Sequence, residues 1–183
     1  MFELVFTRRY AMAHRLRGDP SGRCAVPHGH NEIVTARLVP VRTVALDGSG
    51  NMVEPFERAK QRWHGWIDEA VDHAFQLGEE DPLIAWFAQH EPQRLPRLLI
   101  TPGDPTTELL AVLLKAKLEA FLAAEGGRLA CAAIAIEETP TNTVVFSGAV
   151  AEALPAGLGG HRWWARADAS INDLKTAALR ALP

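Results

Sequence analysis

Three histidines near the N-terminus are the residues whose type and spacing most directly indicate chemistry. His28 and His30 stand two apart at the start of an alternating stretch typical of a β-strand, so both imidazoles are expected on one face. His14 ends an earlier alternating stretch, and a hairpin would bring it beside them. Histidine pairs of this spacing often bind no metal, so the third donor decides the prediction. Three neutral imidazoles with a fourth position open are typical of a catalytic zinc ion.

Cys24 lies four positions before His28, close to the predicted metal site. Its thiolate could be a fourth ligand, because thiolates bind zinc well. It could instead be a base beside the metal, with the positive charge of Arg23 favouring the thiolate. The residues alone leave both roles open.

Composition limits the classes of protein that this chain can represent. Its 183 residues fit one domain with a substantial core. A net charge of -3 argues against a general nucleic-acid binder, which needs an excess of Lys and Arg for phosphate contacts. The longest apolar run is interrupted by Lys115 and Lys117, so we expect no membrane span.

The two cysteines, Cys24 and Cys131, stand in different settings and are not expected to form a disulfide. The N-terminus lacks the basic start and apolar core of a signal peptide. Both features predict a cytoplasmic protein.

One region departs from the acidic average. Between positions 8 and 23 a single acidic residue, Asp19, is outnumbered by five arginines: Arg8, Arg9, Arg15, Arg17 and Arg23. Such a cluster could bind a small anion, but exposed arginines of this number are also common on protein surfaces.

The first half of the chain predicts two strands and a helix. Phe2, Leu4 and Phe6 begin the first alternating strand, and the second runs from His28 to Val41. Pro55 suits a first helical position, and the apolar spacing that follows predicts a helix of about twenty residues that ends near Gly78.

The second half predicts a helix and a hairpin. Residues 79–103 contain four prolines and are expected to be a long, irregular connection with at most a short helix. Asp104 and Pro105 are typical of a helix start, and Gly126-Gly127 of its end. Strands are expected over Arg128 to Glu138 and Thr143 to Val150.

This order of elements predicts an α+β fold in which two helices cover one face of an antiparallel sheet. Residues 1–150 would form the domain. Residues 151–183 would be a linker and a C-terminal helix from Ser170 to Leu182, whose apolar stripe docks on this domain or on a neighbouring subunit.

Four short motifs together resemble those of the 6-pyruvoyl- and 6-carboxy-tetrahydropterin synthase family. Each is unspecific alone, but their shared order along about residues 2 to 148 is not expected by chance. The motifs are Ala11–His14 with Cys24 and His28–Asn31, then Val71–His73, Pro105–Ala111 and Glu138–Asn142.

The resemblance implies a tunnelling fold (T-fold) of order ββααββ, with a four-stranded antiparallel sheet, and it implies a role for each matching residue. Zn²⁺ would be bound by His14, His28 and His30. Cys24 would remove a proton from the substrate, and Asp72 and His73 would relay it. Glu138 would anchor a pterin by accepting from its N–H and amino group, a bidentate match. Glu137 points to the opposite face, so a register error of one residue would exchange the two glutamates.

The resemblance also implies a substrate and an assembly. The short spacing from Cys24 to His28 is similar to the bacterial 6-carboxy-tetrahydropterin synthases, lyases that act on 7,8-dihydroneopterin triphosphate on the way to queuosine. Thr106 and Thr107 would contact the pterin, although they could be only a capping turn. Arg23 and the neighbouring arginines would meet the triphosphate. A trimer-based homo-oligomer is expected, usually a hexamer, with sites at subunit contacts.

Some features depart from the family pattern. Pro55 replaces an acidic residue before the first helix, the connection 79–103 is longer than expected, and the tail is additional. Three alternatives therefore stay open: a 6-pyruvoyl-type triphosphate lyase, a zinc-bearing protein that binds a pterin or purine without converting it, and an unrelated zinc hydrolase. The last is least supported, because nothing else in the sequence supplies a hydrolytic site.

Overall fold

The computed structural model describes residues 2–154 and 157–174. The strands are β1 (Leu4–His14), β2 (His28–Pro40), β3 (Ala74–Gly78), β4 (Leu98–Thr101), β5 (Leu129–Thr139) and β6 (Asn142–Phe146). The α-helices are α1 (Phe56–Trp66), α2 (Pro82–His90), α3 (Thr107–Ala124) and α4 (Val150–Ala153). Within the described ranges, no helix combines the length and apolar character that crossing a membrane requires.

The strands form one six-stranded sheet in the order β4-β3-β1-β2-β5-β6. The predicted four antiparallel strands are its centre and one edge: β1 pairs with β2, β2 with β5, and β5 with β6. The other edge holds β3 and β4, which pair in parallel and were not predicted as strands. The α+β prediction is confirmed, and the sheet is larger and mixed.

Two helices cover one face of this sheet, as predicted. The ring of Trp66 in α1 lies 5.8 Å from the ring of Phe121 in α3. Below them, Val34 of β2 and Ile136 of β5 are fully buried. The alternation of apolar residues along β1 and β2 therefore marks the face that the helices bury.

The first helix ends earlier than its apolar spacing predicted. α1 stops at Trp66, a π-helical turn follows over Ile67–Val71, and the chain then enters β3. His73 has a φ of 61°, and a right-handed helix cannot continue through a residue with a positive φ. Ala74 belongs to the apolar spacing that predicted the helix, and it is buried, but on a strand. A short apolar run fits either period, and pairing with β1 decides.

The connection 79–103 is mostly regular, which corrects the prediction. It contains α2, a 3₁₀ helix over Pro92–Arg97, and β4. Asp81 caps α2 by accepting from the amide of Leu83, and Pro82 follows in the first turn. Leu77, Leu95, Leu98 and Ile100 form a second small core beneath these elements.

The second predicted helix and the hairpin are confirmed with adjusted ends. Thr106, rather than Asp104, caps α3, since its hydroxyl accepts from the amide of Leu109. Gly126 and Gly127 end the helix with φ values of 97° and 62°, which favour glycine. β5 and β6 pair directly after their turn.

The described part of the tail packs against the helices and the β4 edge. Trp163 is fully buried and its indole donates to the carbonyl of Ile100 at 2.7 Å. The amide of Ile100 donates to the carbonyl of Ile171, so the tail covers backbone groups of the outermost strand. Of the helix predicted from Ser170, residues 170–174 are irregular. Its remainder lies outside the described residues.

Lys117 of α3 is the main polar link to this tail. Its side chain is fully buried, and its ammonium donates to the carbonyls of Trp163 (3.0 Å) and Ser170 (3.2 Å) and to the carboxylate of Asp168 (3.4 Å). Burial lowers the pKa of Lys117 to about 8. A buried ammonium is tolerated here because it has three acceptors.

We expect Lys117→Ala to lower the free energy of unfolding by about 3 kcal/mol, because it leaves buried acceptors without a donor. Lys60, which pairs with Glu57 on the surface of α1, is the control, and Lys60→Ala should change stability by less than about 0.5 kcal/mol. Urea unfolding followed by tryptophan fluorescence measures both. Equal stability of the two variants would contradict an anchoring role for Lys117.

Candidate metal centre and active site

The β1–β2 hairpin brings the three predicted metal ligands together. In its antiparallel register His14 is opposite His28, and Met12 is opposite His30. One nitrogen from each of His14, His28 and His30 lies within 4.8 Å of the others. Among the described residues, these three form the one group of His, Cys, Asp or Glu side chains with such geometry.

The hydrogen bonds of the imidazoles orient them for a metal. His14 Nδ1 lies 3.0 Å from the carbonyl of Pro105, and His28 Nδ1 lies 2.8 Å from the carbonyl of Val26. A carbonyl only accepts, so each Nδ1 carries the proton and each Nε2 presents a lone pair. The two Nε2 atoms are 3.1 Å apart. Lone pairs at this distance repel unless a cation lies between them, and donors in a tetrahedral zinc site are about 3.3 Å apart. These residues therefore fit a bound metal ion.

The electrostatics of His14 also suit a ligand. The residue is only 2% exposed, and this burial lowers its pKa, which favours the neutral imidazole that binds metals. The carbonyl of Pro105 and the charge of Glu138 act in the opposite direction. Glu138 is therefore close enough to His14 to influence its pKa.

Glu138 meets the N-terminus of α3 beside the histidines. Thr107 donates its hydroxyl to Glu138 Oε1 at 2.7 Å, while Thr106 caps the helix. Glu138 follows the buried Ile136 by two positions, so it points to the helix-covered face, and the Glu137 between them points away. Thr107 and Glu138 are brought together as predicted, and Pro105 links the same helix start to His14.

Cys24 lies in the loop between β1 and β2, and Asp19 organises this loop. The carboxylate of Asp19 accepts from the amide of Cys24 at 2.8 Å, and the carbonyl of Cys24 accepts from the amide of Leu16 at 2.7 Å. Cys24 is half-buried, and its thiol is not a member of the metal-binding group. The structure therefore does not place the thiol with the three imidazoles as a fourth ligand. The side chain of the adjacent Arg23 is exposed and makes no ion pair with the described residues.

Asp72 and His73 form a hydrogen-bonded pair attached to β1. Asp72 accepts from the amide of Ala11 at 2.7 Å and from His73 Nδ1 at 2.7 Å, while the amide of His73 donates to the carbonyl of Ala11. Burial raises the pKa of Asp72, but these hydrogen bonds outweigh it and hold the pKa below its usual value. The imidazole of His73 is 76% exposed. In the part of the chain that the structure describes, the imidazole of His73 makes no hydrogen bond with the thiol of Cys24.

The arginine-rich region is less basic than its sequence indicated. Arg8 forms a two-pronged ion pair with Asp68, and Arg15 forms another with the buried carboxylate of Asp81. Arg17 donates to the carbonyl of Glu80. Arg9, Arg17 and Arg23 make no ion pair with the described residues, so they are the arginines of this region whose charge is left available for an anion.

Glu32 is a polar residue of this face that was not predicted from the sequence. Glu32, two positions after His30, is fully buried, and the hydroxyl of Tyr10 on β1 donates to its carboxylate. Its other oxygen has no partner among the described residues, and burial raises the pKa of Glu32 to about 7. The one signal in the sequence for this residue was that Glu32 alternates with His30 and Val34 and so lies on the buried face of β2.

Gln76 is a further polar residue that sequence reasoning missed. It is fully buried on β3, opposite His14, and its amide atoms have no partner among the described residues. Only the strand pairing reveals it, because the sequence pattern predicts the end of a helix at positions 74–78.

Comparisons with known proteins show what this chain is similar to. Residues 3–149 match the model of the family "6-pyruvoyl tetrahydropterin synthase". The 6-carboxy-5,6,7,8-tetrahydropterin synthase of Bacillus subtilis is 28% identical over 145 residues, which cover 79% of this chain and 84% of that protein.

Solved structures show the same fold. An uncharacterized protein from Wolinella succinogenes superimposes with a TM-score of 0.66 at 19% identity, covering 81% of this chain and 98% of that one. The 6-pyruvoyl tetrahydropterin synthase of Caenorhabditis elegans gives 0.54 at 21% identity, covering 81% and 96%.

The family match spans both strands that carry the histidines, the pair Asp72 and His73, and the start of α3 with Glu138. The predicted T-fold and the prediction of an enzyme are thereby confirmed. The chain belongs to the 6-pyruvoyl tetrahydropterin synthase family of enzymes.

Proposed function

We propose that this protein is a zinc-dependent lyase that converts 7,8-dihydroneopterin triphosphate to 6-carboxy-5,6,7,8-tetrahydropterin. The observation that carries this proposal is the placement of three convergent imidazoles beside the Thr107–Glu138 hydrogen bond on one face of the sheet. The name of the Bacillus subtilis relative supports the choice of product.

Zinc is the metal we propose, bound by His14, His28 and His30. Neutral imidazoles suit it, and three protein ligands leave a position for substrate. When bound, such an ion supplies a Lewis acid for the oxygens of the substrate side chain. The carbonyls of Pro105 and Val26 would keep His14 and His28 in the tautomer that a metal needs.

Glu138 is proposed to orient the pterin ring. Thr107 donates to one oxygen of the carboxylate and so fixes its plane. The remaining acceptor positions can take an N–H and an amino hydrogen from the edge of the ring, as two parallel hydrogen bonds. Thr106, at the helix cap, would line the same side of the site.

Cys24 is proposed as the base that removes the substrate proton, with His73 and Asp72 carrying protons to and from it. The loop bonds made by Asp19 would hold the cysteine in place. Because the exposed His73 does not contact Cys24 within one chain, we propose that the relay is completed between subunits of a trimer-based hexamer. Arg23 would meet the triphosphate at the open side.

A related proposal concerns cellular context. The product proposed here is a precursor type for deazapurines such as queuosine, and the two free cysteines suit a reducing cytoplasm. The main alternative is a 6-pyruvoyl-type lyase acting on the same triphosphate. A protein that binds pterin without turnover is favoured only by the family departures at Pro55 and in the connection that now forms α2 and β4.

The metal site leads to a first expected outcome. Purified protein should bind one zinc ion per chain, and His28→Ala should weaken binding at least about 100-fold, because one of three ligands is lost. His90, exposed on α2 and stacked on Trp86, is the control, and His90→Ala should bind zinc normally. Titration against a chelator of known affinity measures both. Unchanged zinc affinity in His28→Ala would rule out the site.

The proposed base leads to a second expected outcome. Cys24→Ala should retain zinc and bind pterin, but lose turnover of dihydroneopterin triphosphate by about 10²- to 10⁴-fold, the usual contribution of a general base. Cys131→Ala, which alters a buried thiol on β5, should remain active. Mass spectrometry of the products separates the 6-carboxy from the 6-pyruvoyl product and from no conversion. Full activity of Cys24→Ala would exclude Cys24 as the base.

A further inference from the structure

Arg97 lies in the connection 79–103 and bonds to residues 69–73, the segment that carries Asp72 and His73. It is the last residue of the 3₁₀ helix Pro92–Arg97. Its guanidinium donates through Nη1 to the carbonyl of Glu69 at 2.8 Å and through Nη2 to the carbonyl of Asp72. One side chain therefore joins the π-helical turn to the residue just before His73.

The segment that Arg97 contacts needs such a partner. The π-helical turn ends at Val71, so the carbonyl of Glu69 loses its helical partner. His73 then adopts a φ of 61°, an unfavourable backbone conformation for a residue with a Cβ. A conformation of this kind persists only when surrounding contacts hold it.

Contacts from two sides hold this segment. On one side, β1 supplies the amide and carbonyl of Ala11, which bond to Asp72 and His73. On the other side, Arg97 supplies a fixed, planar pair of donors. Its positive charge also lies close enough to favour the ionised carboxylate of Asp72, which accepts from His73 Nδ1.

Arg97 itself rests on a firm base. The neighbouring Leu95 is buried in the second small core. Asn172 of the tail donates to the carbonyls of Leu95 and Leu98, at 3.0 and 2.7 Å, on either side of Arg97. Core packing and tail contacts together therefore fix the backbone from which the Arg97 side chain extends.

We propose that Arg97 is a positioning residue that holds Asp72 and His73 in the geometry of the proton relay. This inference rests on the relay role proposed above. It gives a function to the long connection: the chain between β3 and β4 returns an arginine to the carbonyls that precede His73. Arg97 acts through His73 and makes no contact with substrate.

The test compares two arginines of the same 3₁₀ helix in the zinc-loaded protein. Arg97→Ala should lower kcat for dihydroneopterin triphosphate about 10- to 100-fold, within the usual contribution of a proton-transfer group, while KM and zinc content stay unchanged. Arg94 is exposed and pairs weakly with Glu91, so Arg94→Ala should keep the full kcat. Added guanidinium ion should restore part of the activity of Arg97→Ala, because it can occupy the vacated position.

A double-mutant cycle with His73→Ala separates positioning from general destabilisation. If Arg97 acts through the histidine, Arg97→Ala should change kcat by less than about twofold in the His73→Ala background. The proposal is overturned by a normal kcat in Arg97→Ala, by a loss that persists without His73, or by a parallel loss of zinc.

The same variants distinguish failure of this inference from failure of the proposed function. No turnover by the wild-type protein, or full turnover by His73→Ala, would refute the relay and the role of Arg97 with it. An active wild type, an impaired His73→Ala and a normal Arg97→Ala would refute the role of Arg97 alone.

Discussion

The register of β1 against β2 is the constraint on which the candidate site depends. It sets His14 opposite His28, with His30 two residues along the same face. Because side chains alternate between the faces of a strand, a slip of one residue would turn one strand's imidazoles away from the other's. The buried partners Val34, Ala36 and Leu38 on β2 prevent that slip, since it would also expose them to solvent.

The start of α3 completes the site because three of its consecutive residues have different tasks. Pro105 accepts from His14, Thr106 caps the helix, and Thr107 donates to Glu138. The helix that covers the sheet thus also orients one proposed metal ligand, His14, and the carboxylate proposed to bind the pterin. Packing and chemistry are coupled here: displacement of this helix would disturb both groups at once.

The parallel edge of the sheet and the tail support the other half of the site. β3 continues directly from Asp72 and His73, and β4 beside it is covered by Ile171 and by the indole of Trp163. Lys117 fixes the tail against α3. The connection 79–103 and the described part of the tail, which depart from the family pattern, therefore form a connected support around Asp72 and His73, the proposed relay pair.

The sequence by itself determined the features that depend on local pattern. Strand alternation placed His28 and His30 on the face of Val34, because side-chain direction follows from position in the strand. The choice of Glu138 over Glu137 came from the resemblance to a family motif, and the hydrogen bond from Thr107 places Glu138 against α3. Turn residues located the end of α3 and the β5–β6 hairpin. Tertiary structure decided what depends on distant partners. Ala74–Gly78 became a strand because β1 was available to pair with it, and the arginines at 8 and 15 were neutralised by Asp68 and Asp81, more than 50 residues away. The bond of Arg97 to Asp72 likewise had no local signal, since it exists only once the connection folds back onto the sheet.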